Sequence, residues 1–515
     1  MFIYCSSITT TLTYIRKKVE GDNIYLYSVR SYREPETKKV RQESKYLGRE
    51  IMENGERILK PPVDRKGVRR VLDSGPYILY RVAEDHGFIP QYESTLHGLT
   101  DIKHAARKII ILAAETILGS GHSAYVHTGI HDLSDKEIRD IIDLVGRKDP
   151  DTMGMLERSM APMVVKEFGS SGLVYDLSAI RYYGTENDLA KYGHYYHSNG
   201  ENREINFVLA VTRKGSIPVH HRPMAGSIPS VTTIKGFTGD LKDFGISTIL
   251  IVMDRGFYSS GNMKDLKDYS VIGALPSTVG MHDDLIHESK DIENSRNYFQ
   301  YHEETVFIRE KRINGIRYIA FFSPRLRARK LESFYHMLSE RETSLKELMV
   351  GKFDSPADMI RSVEKEIRGF RNLIEIVNEK DSLKFSYTLK HKAIQQRTNR
   401  FGFTVLLTNT QISGEDVLRI YRDKDRVEKA FAHLKPHLEP FFSRSEEGTR
   451  ARLFLAILGY TMVAIIASVC GITYNQALDT LSGIREVVYS TGSHAPVEYT
   501  KDQRELLEKL KLELW

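Results

Sequence analysis

The sequence predicts an α/β protein built on a mixed sheet flanked by helices. Three observations carry this. From about residue 171, runs rich in β-branched and aromatic residues alternate with helical segments. Residues 100–165 show apolar residues at helical spacing. Asn314-Gly315 sits between two alternating stretches, a strong hairpin signal.

The N-terminal stretch, 1–165, reads as mixed and largely helical. Within residues 1–100, 17 Lys and Arg stand against 13 Asp and Glu, with clusters at Lys17, Lys18, Lys38, Lys39, Arg41, Arg65, Lys66, Arg69 and Arg70. Such an arm can track phosphates without reading bases, and it reads equally as a solvated surface. "DIKHAARKIIILAAETIL" has helical spacing. "LSDKEIRDIIDLVG" opens with Ser134 as a cap and Glu137 three residues on.

Beyond 171, "GLVYDLSAIRYYG" reads as a strand. "INFVLAVTRKGSIPVHHRPM" reads as two strands joined at Lys214-Gly215. A helix follows near 231–243, then the apolar strand "ISTILIVMD" and the strand "YSVIGALP". Residues 277–400 interrupt this alternation with a hairpin, "TVFIREKRINGIRYIAFF", and charged helices. "FGFTVLLTN" resumes the core as a strand, and "SGEDVLRIYRDKDRVEKAFAHLKPH" reads as one long helix ended by Pro436. "LFLAILGYTMVAIIASVCG", Leu453 to Gly471, has no charge. Its length allows a membrane span, and its setting favours a buried core helix. A helical tail over 476–515 closes the chain.

Bulk properties narrow the class. A chain of 515 residues with 41% apolar and 28% charged residues is neither disordered nor collagen-like, and has room for two to four domains. Cys5 and Cys470 cannot form a disulfide framework or a four-cysteine zinc site, which suits a reducing cytosol. The N-terminal segment has no basic region ahead of its apolar residues, so no secretory signal is expected. A net charge of +6 and a pI near 8.9 do not by themselves establish nucleic-acid binding.

Two aspartates stand out. Asp176 lies within the strand "LVYDLSAI", and Asp254 ends the most apolar strand. A carboxylate so placed is costly unless it is paired or binds a metal, although each alone also reads as a cap, turn residue or ion-pair partner. On the predicted helix, Tyr421, Lys424, Glu428 and Lys435 are spaced three, four and seven apart and fall on one stripe. The ordinary readings of such spacing are an apolar stripe or a surface ion-pair ladder. Asp, Asp and Glu suit hard divalent cations such as Mg²⁺, which serve phosphoryl transfer in pairs.

These residues resemble the DDE transposases of bacterial and archaeal insertion sequences. The nearest likeness is to the group with the signature Tyr-x2-Arg-x3-Glu-x6-Lys, which here reads Tyr421-x2-Lys424-x3-Glu428-x6-Lys435. "VMDRGFYSSGN" is similar to that group's second-aspartate motif. "VYDLSAIRYYG" is similar to its first-aspartate strand, with Ser178 where Thr is commoner. The resemblance spans about 171–465.

The resemblance implies an RNase H-like core over 166–276 and 401–475. A β-containing insertion domain, 277–400, would fall within the 174-residue interval between Asp254 and Glu428. It implies that Asp176, Asp254 and Glu428 are catalytic and hold two Mg²⁺ or Mn²⁺ ions per active site. Tyr421, Lys424, Lys435 and Arg255 would contact DNA. The activity implied is cut-and-paste transposition: water nicks the transposon end, and the freed 3′ hydroxyl attacks target DNA. The partners implied are double-stranded DNA, as terminal inverted repeats and target, and a second copy of the chain in a synaptic dimer. The setting implied is a prokaryotic cytoplasm, at the nucleoid.

Two departures are visible. Lys424 replaces Arg, keeping the charge and losing the two-pronged fork. The only Trp is Trp515, so the insertion has none to stack on a flipped base. Tyr298, Phe299, Tyr301 and Tyr318 are the aromatic substitutes, and each also reads as a packing residue.

Other readings are weaker. "GSGHSAYV" and Asp243-Phe244-Gly245 imitate kinase motifs, but the accompanying lysine strand and catalytic loop are missing, and turn glycines explain both. His194, His197, His220 and His221 lack the cysteine partners and spacing of a typical zinc site. No P-loop or hydrolase motif occurs. The rivals from other classes are a catalytically inactive, transposase-derived DNA-binding protein and a membrane protein built on Leu453–Gly471.

Overall fold

The computed structural model describes residues 12–20, 23–33, 39–53, 56–60, 68–119, 121–193, 203–378, 382–490 and 493–513. Cys5, Lys38, Arg65, Lys66, His194, His197 and Trp515 lie outside them. The chain forms two compact units, residues 1–249 with 425–515, and residues 250–424.

The first unit opens with an antiparallel sheet of β1 (Leu12–Glu20), β2 (Asn23–Arg33), β3 (Val40–Glu53) and β4 (Glu56–Lys60), in that order. β5 (Val68–Asp73) follows. The stretch expected to be largely helical is therefore helical only from Gly75. The reason is local: β1 and β2 are dense in Tyr, Ile, Val and Thr. One face carries Ile15, Leu26, Leu47 and Leu59 into a small core shared with Val71. Lys17, Lys18, Lys39, Arg41 and Arg70 are exposed.

Six helices follow: α1 (Gly75–Asp85), α2 (Phe88–Leu96), α3 (Ala105–Leu118), α4 (His122–Thr128), α5 (Asp135–Gly146) and α6 (Thr152–Phe168). Ser134 and Glu137 form the expected capping box on α5. Gly119 closes α3 with a φ of 83° and Gly121 caps the start of α4, so the glycines of "GSGHSAYV" are helix-terminal residues.

The strands β6 (Leu173–Arg181), β7 (Lys191–Tyr192), β8 (Arg203–Thr212) and β9 (Pro218–Ala225) are all antiparallel. β8 pairs with β6 along one edge and with β7 and β9 along the other. α7 (Ile234–Asp243) ends at Phe244, and Gly245 takes φ 75° in the turn. Asp243-Phe244-Gly245 is thus a helix terminus.

The second unit comprises β10 (Leu250–Met253), α8 (Ser260–Asp265), β11 (Ser270–Ala274), α9 (Gly280–Glu288), β12 (Tyr298–Tyr301), β13 (Glu304–Ile313), β14 (Ile316–Phe322), α10 (Pro324–Val350), α11 (Pro356–Glu366), β15 (Ile374–Asn378), β16 (Phe385–Leu389), α12 (His391–Thr398), β17 (Phe403–Thr408) and α13 (Gly414–Arg422). Its sheet runs β12-β13-β14-β17-β11-β10, with β10 and β11 parallel and the other pairs antiparallel. Asn314 and Gly315, both at positive φ, turn the β13–β14 hairpin as its sequence predicts. β14 pairs with β17, so the hairpin extends the main sheet rather than standing apart. α10, α11, β15, β16 and α12 enclose a separate core around Phe334, Leu338, Leu345, Met359, Val363 and Phe385.

The chain then returns to the first unit with α14 (Asp425–Leu438), α15 (Glu446–Cys470), α16 (Tyr474–Ser482), β18 (Arg485–Tyr489), β19 (His494–Pro496) and α17 (Lys501–Leu510). The tail expected to be helical thus contributes two strands, which form the sheet β19-β18-β5. α15 is long and apolar enough to cross a membrane by length and composition, yet 89% of its most apolar window is buried. It packs on α3, α5, β9 and α14.

A further expectation fails here. The helix predicted across Gly414 to Pro436 is two helices, divided at Asp423-Lys424, and α14 continues through Pro436 to Leu438. At the break, the Asp423 and Lys424 amides donate to the Ile420 and Tyr421 carbonyls, the tight i−3 pattern of a helix end. α13 buries Val417, Leu418 and Tyr421, and α14 buries Val427, Ala430, Phe431 and Leu434. Each helix has its own apolar face, so a single stripe read across the break does not describe both.

Candidate active site

In the second unit, Asp254 follows the last residue of β10 and precedes a single 3₁₀ turn, Arg255–Phe257. β10 is short and apolar because Ile251, Val252 and Met253 are buried in the sheet. Phe257 is buried too, and it draws the chain back under the strand end. Asn262 completes the turn. It is 7% exposed, and its side-chain amide donates to the Phe257 carbonyl at 2.7 Å. The Asn of the second-aspartate motif therefore shapes the turn that carries Asp254.

α13 packs against β10, β11 and β17. This places Tyr421 over the strand end, where its hydroxyl donates to Asp254 Oδ1 at 2.9 Å. Lys424 Nζ lies 3.9 Å from Asp254 Oδ2. Tyr421 is 8% exposed, whereas the Asp254 side chain is 37% exposed and the Lys424 side chain 25%. Asp254 is thus held by an aromatic hydroxyl and a cation while staying open to solvent.

Arg255 is exposed. Partial desolvation, together with the positive charge of Arg255, pulls the ammonium of Lys330, an exposed residue of α10, below the ordinary lysine value. Arg422, next to Tyr421, sits 4.1 Å over the Tyr301 ring. Neither Lys330 nor the Arg422–Tyr301 pair is legible in the sequence, because each depends on a contact between distant segments.

In the first unit, Asp176 lies midway along β6. It and Ser178 are half-buried, while Tyr175 and Leu177 on the other face are buried. Tyr175 stacks on Phe237 of α7 at 4.1 Å and donates to Thr233 Oγ1 at 2.9 Å. The Asp176 face is the other one. Residues directly opposite on paired strands share a face, and Ser178 is opposite Phe207. Phe207 meets Phe431 of α14 edge-on at 5.0 Å. The sheet face bearing Asp176 is therefore the face that α14 covers.

Glu428 lies in the first turn of α14, exposed, one turn before Phe431. It stands at the positive end of the helix dipole. Lys435 lies two turns on and is half-buried. Burial pulls its ammonium below the ordinary lysine value, against the opposing effect of Glu439 and Glu204.

The structure thus gathers Tyr421, Lys424 and Asp254 in one unit, and in the other lays the Glu428 helix on the Asp176 face. Their chemistry is consistent: oxygen ligands with accessible carboxylates for hard cations, and cations for phosphate.

The aromatic substitutes differ in exposure. Tyr298 is 53% exposed, Tyr301 is buried beneath Arg422, and Phe299 meets Phe321 edge-on. His220 and His221 are buried on β9, where both face Glu157 of α6 in a core cluster.

Residues 168–462, more than half of the chain, match the family described as a transposase DDE domain. No curated protein matches the sequence. Among solved structures, the cryo-EM structure of a piggyBac transposase synaptic complex with hairpin DNA is similar at 10% identity and a TM-score of 0.35, over 81% of this chain and 82% of that one.

Proposed function

Since the chain belongs to the transposase DDE domain family, we propose that it is a DNA transposase of the Tyr-x2-Arg-x3-Glu-x6-Lys group. It would cut an insertion sequence at its ends and join them to target DNA. The observation that carries the proposal is the support given to Asp254 by Tyr421 and Lys424, two residues of that signature. The packing of α14 on the Asp176 face of β6 adds to it.

The proposed core is RNase H-like, formed by 166–276 and 401–475, with 277–400 inserted between them, its hairpin continuing the sheet and its helices holding a core of their own. Residues 1–165 would bind the DNA ends, and 476–515 form the tail. Asp176, Asp254 and Glu428 are the proposed ligands of two Mg²⁺ or Mn²⁺ ions. Bound there, such ions supply Lewis acidity to phosphoryl transfer.

The chain's own groups do the rest. Tyr421 fixes the Asp254 carboxylate through one oxygen, leaving the other toward Lys424. Asn262 holds the turn that presents Asp254. Lys424, Lys435 and Arg255 supply positive charge for phosphates, and Tyr421 joins them at the DNA backbone. Two DNA ends require two active sites, hence a homodimer in the synaptic complex. The proposed setting is the nucleoid in a prokaryotic cytoplasm.

The test is to incubate the purified chain with Mg²⁺ and duplexes bearing the ends of the element that encodes it. Nicking at the terminal repeats and transfer of the 3′ ends to a second duplex are expected, and chelation should stop both. Metal-independent binding without cleavage would instead favour the inactive DNA-binding reading.

A further inference from the structure

Three side chains from two distant parts of the sequence converge within the first unit. His127 lies in the last turn of α4, Glu486 on β18 and His494 on β19. The Glu486 side chain is fully buried, and the two histidines are 15% and 19% exposed. His127 Nε2 lies 2.9 and 2.8 Å from the two Glu486 carboxylate oxygens, and His494 Nδ1 lies 2.8 Å from Oε2. One donor atom from each residue falls within 4.8 Å of the others. Tyr77 stacks on the His127 ring at 4.4 Å and holds its plane.

A buried carboxylate costs several kcal/mol unless positive charge meets it. The neighbouring cation on β18, Arg485, pairs instead with Glu50 and Asp73. The two histidines hydrogen-bond Glu486, as His220 and His221 do Glu157. Two imidazole nitrogens and one carboxylate are, however, a complete three-ligand set for a borderline divalent ion, with a fourth position open to water. Hard cations such as Mg²⁺ prefer all-oxygen sites, so this set discriminates against them. Tetrahedral bonds of about 2.0–2.1 Å place donors about 3.3 Å apart. The two nitrogen–oxygen distances of 2.8 Å would need to open by about half an ångström to reach that spacing, and the two imidazole nitrogens lie within 4.8 Å of one another.

We propose that His127, Glu486 and His494 form a zinc-type divalent metal site. It links α4 to the sheet β19-β18-β5, and through Val71 and Val487 to the core beneath β1–β4. The ion acts as a cross-link between α4 and the strands β18 and β19.

The test uses the full chain, stripped with a chelator and held in excess Mg²⁺ to satisfy oxygen-ligand sites. It is titrated with ZnCl₂ against a chromophoric chelator. About one equivalent should bind, and Glu486→Gln or His494→Ala should weaken binding by about 100-fold or more, as expected for loss of a direct ligand. Asp254→Asn should retain the site. Should a variant fail to fold, the wild type still decides: loading with Co²⁺ should give visible absorption of a four- or five-coordinate nitrogen–oxygen site that Zn²⁺ abolishes. No bound zinc, unchanged affinity in the folded variants, or only six-coordinate Co²⁺ spectra would overturn the proposal.

Discussion

Asp254→Asn separates chemistry from folding. The amide is nearly isosteric, and its oxygen can accept the Tyr421 hydroxyl bond that Oδ1 accepts at 2.9 Å. What folding loses is the Lys424 pair at 3.9 Å, between side chains 25% and 37% exposed. Pairs so solvated contribute about 0.2–1 kcal/mol. Urea unfolding should therefore show a stability change of at most about 1 kcal/mol. Catalysis should suffer far more. A neutral amide is a poor ligand for a hard cation, and losing about 3–4 kcal/mol of transition-state stabilisation slows a reaction about 10²–10³-fold. The assay is single-turnover nicking of a labelled terminal-repeat duplex at saturating Mg²⁺, alongside gel-shift binding to the same duplex. Binding should persist while nicking collapses. Nicking at the wild-type rate would refute the role of Asp254. A large stability loss would show instead that the carboxylate is a folding element.

Three further outcomes follow from packing and charge. Asn262→Ala leaves the Phe257 carbonyl without its side-chain donor. It should cost about 1–3 kcal/mol in urea unfolding and slow nicking, because the turn bearing Asp254 loosens. Gly459→Ala would raise helix propensity, but its Cβ would collide with the Ala113 carbonyl and the Ile117 side chain. A loss of about 1–3 kcal/mol is expected where an exposed helix site would gain, and thermal unfolding reads the sign. Glu157 is a buried carboxylate whose pKa burial alone would raise. The His220 and His221 imidazoles outweigh burial and hold it near 2, below the ordinary 4.5. Its stabilisation is present above about pH 4.5 and lost as pH falls toward 2. Glu157→Gln should cost about 3–5 kcal/mol at neutral pH and flatten this acid limb in urea titrations.

Local signals in the sequence determined much of this protein. β-branched runs marked β6, β8, β10, β11 and β17, Asn314-Gly315 marked its hairpin, and Ser134 its capping box. These features act within a few residues, where alternation, turn geometry and capping dominate. Asp254 could be nominated from its strand-end motif, and Tyr421 and Lys424 because their spacing resembles a known signature with Lys in place of Arg. Their contact could not, since it depends on α13 docking across β10. The division at Asp423-Lys424 escaped periodicity because both segments remain amphipathic on their own.

Only tertiary structure decided the rest. It buried the apolar α15 against α3, α5 and β9 and gave the Asn262 amide its carbonyl. It paired β5 with β18 and brought His127 to Glu486 and His494. Those last contacts join residues hundreds of positions apart. Packing selects them through shared burial and charge compensation, and neither leaves a periodic trace along the chain.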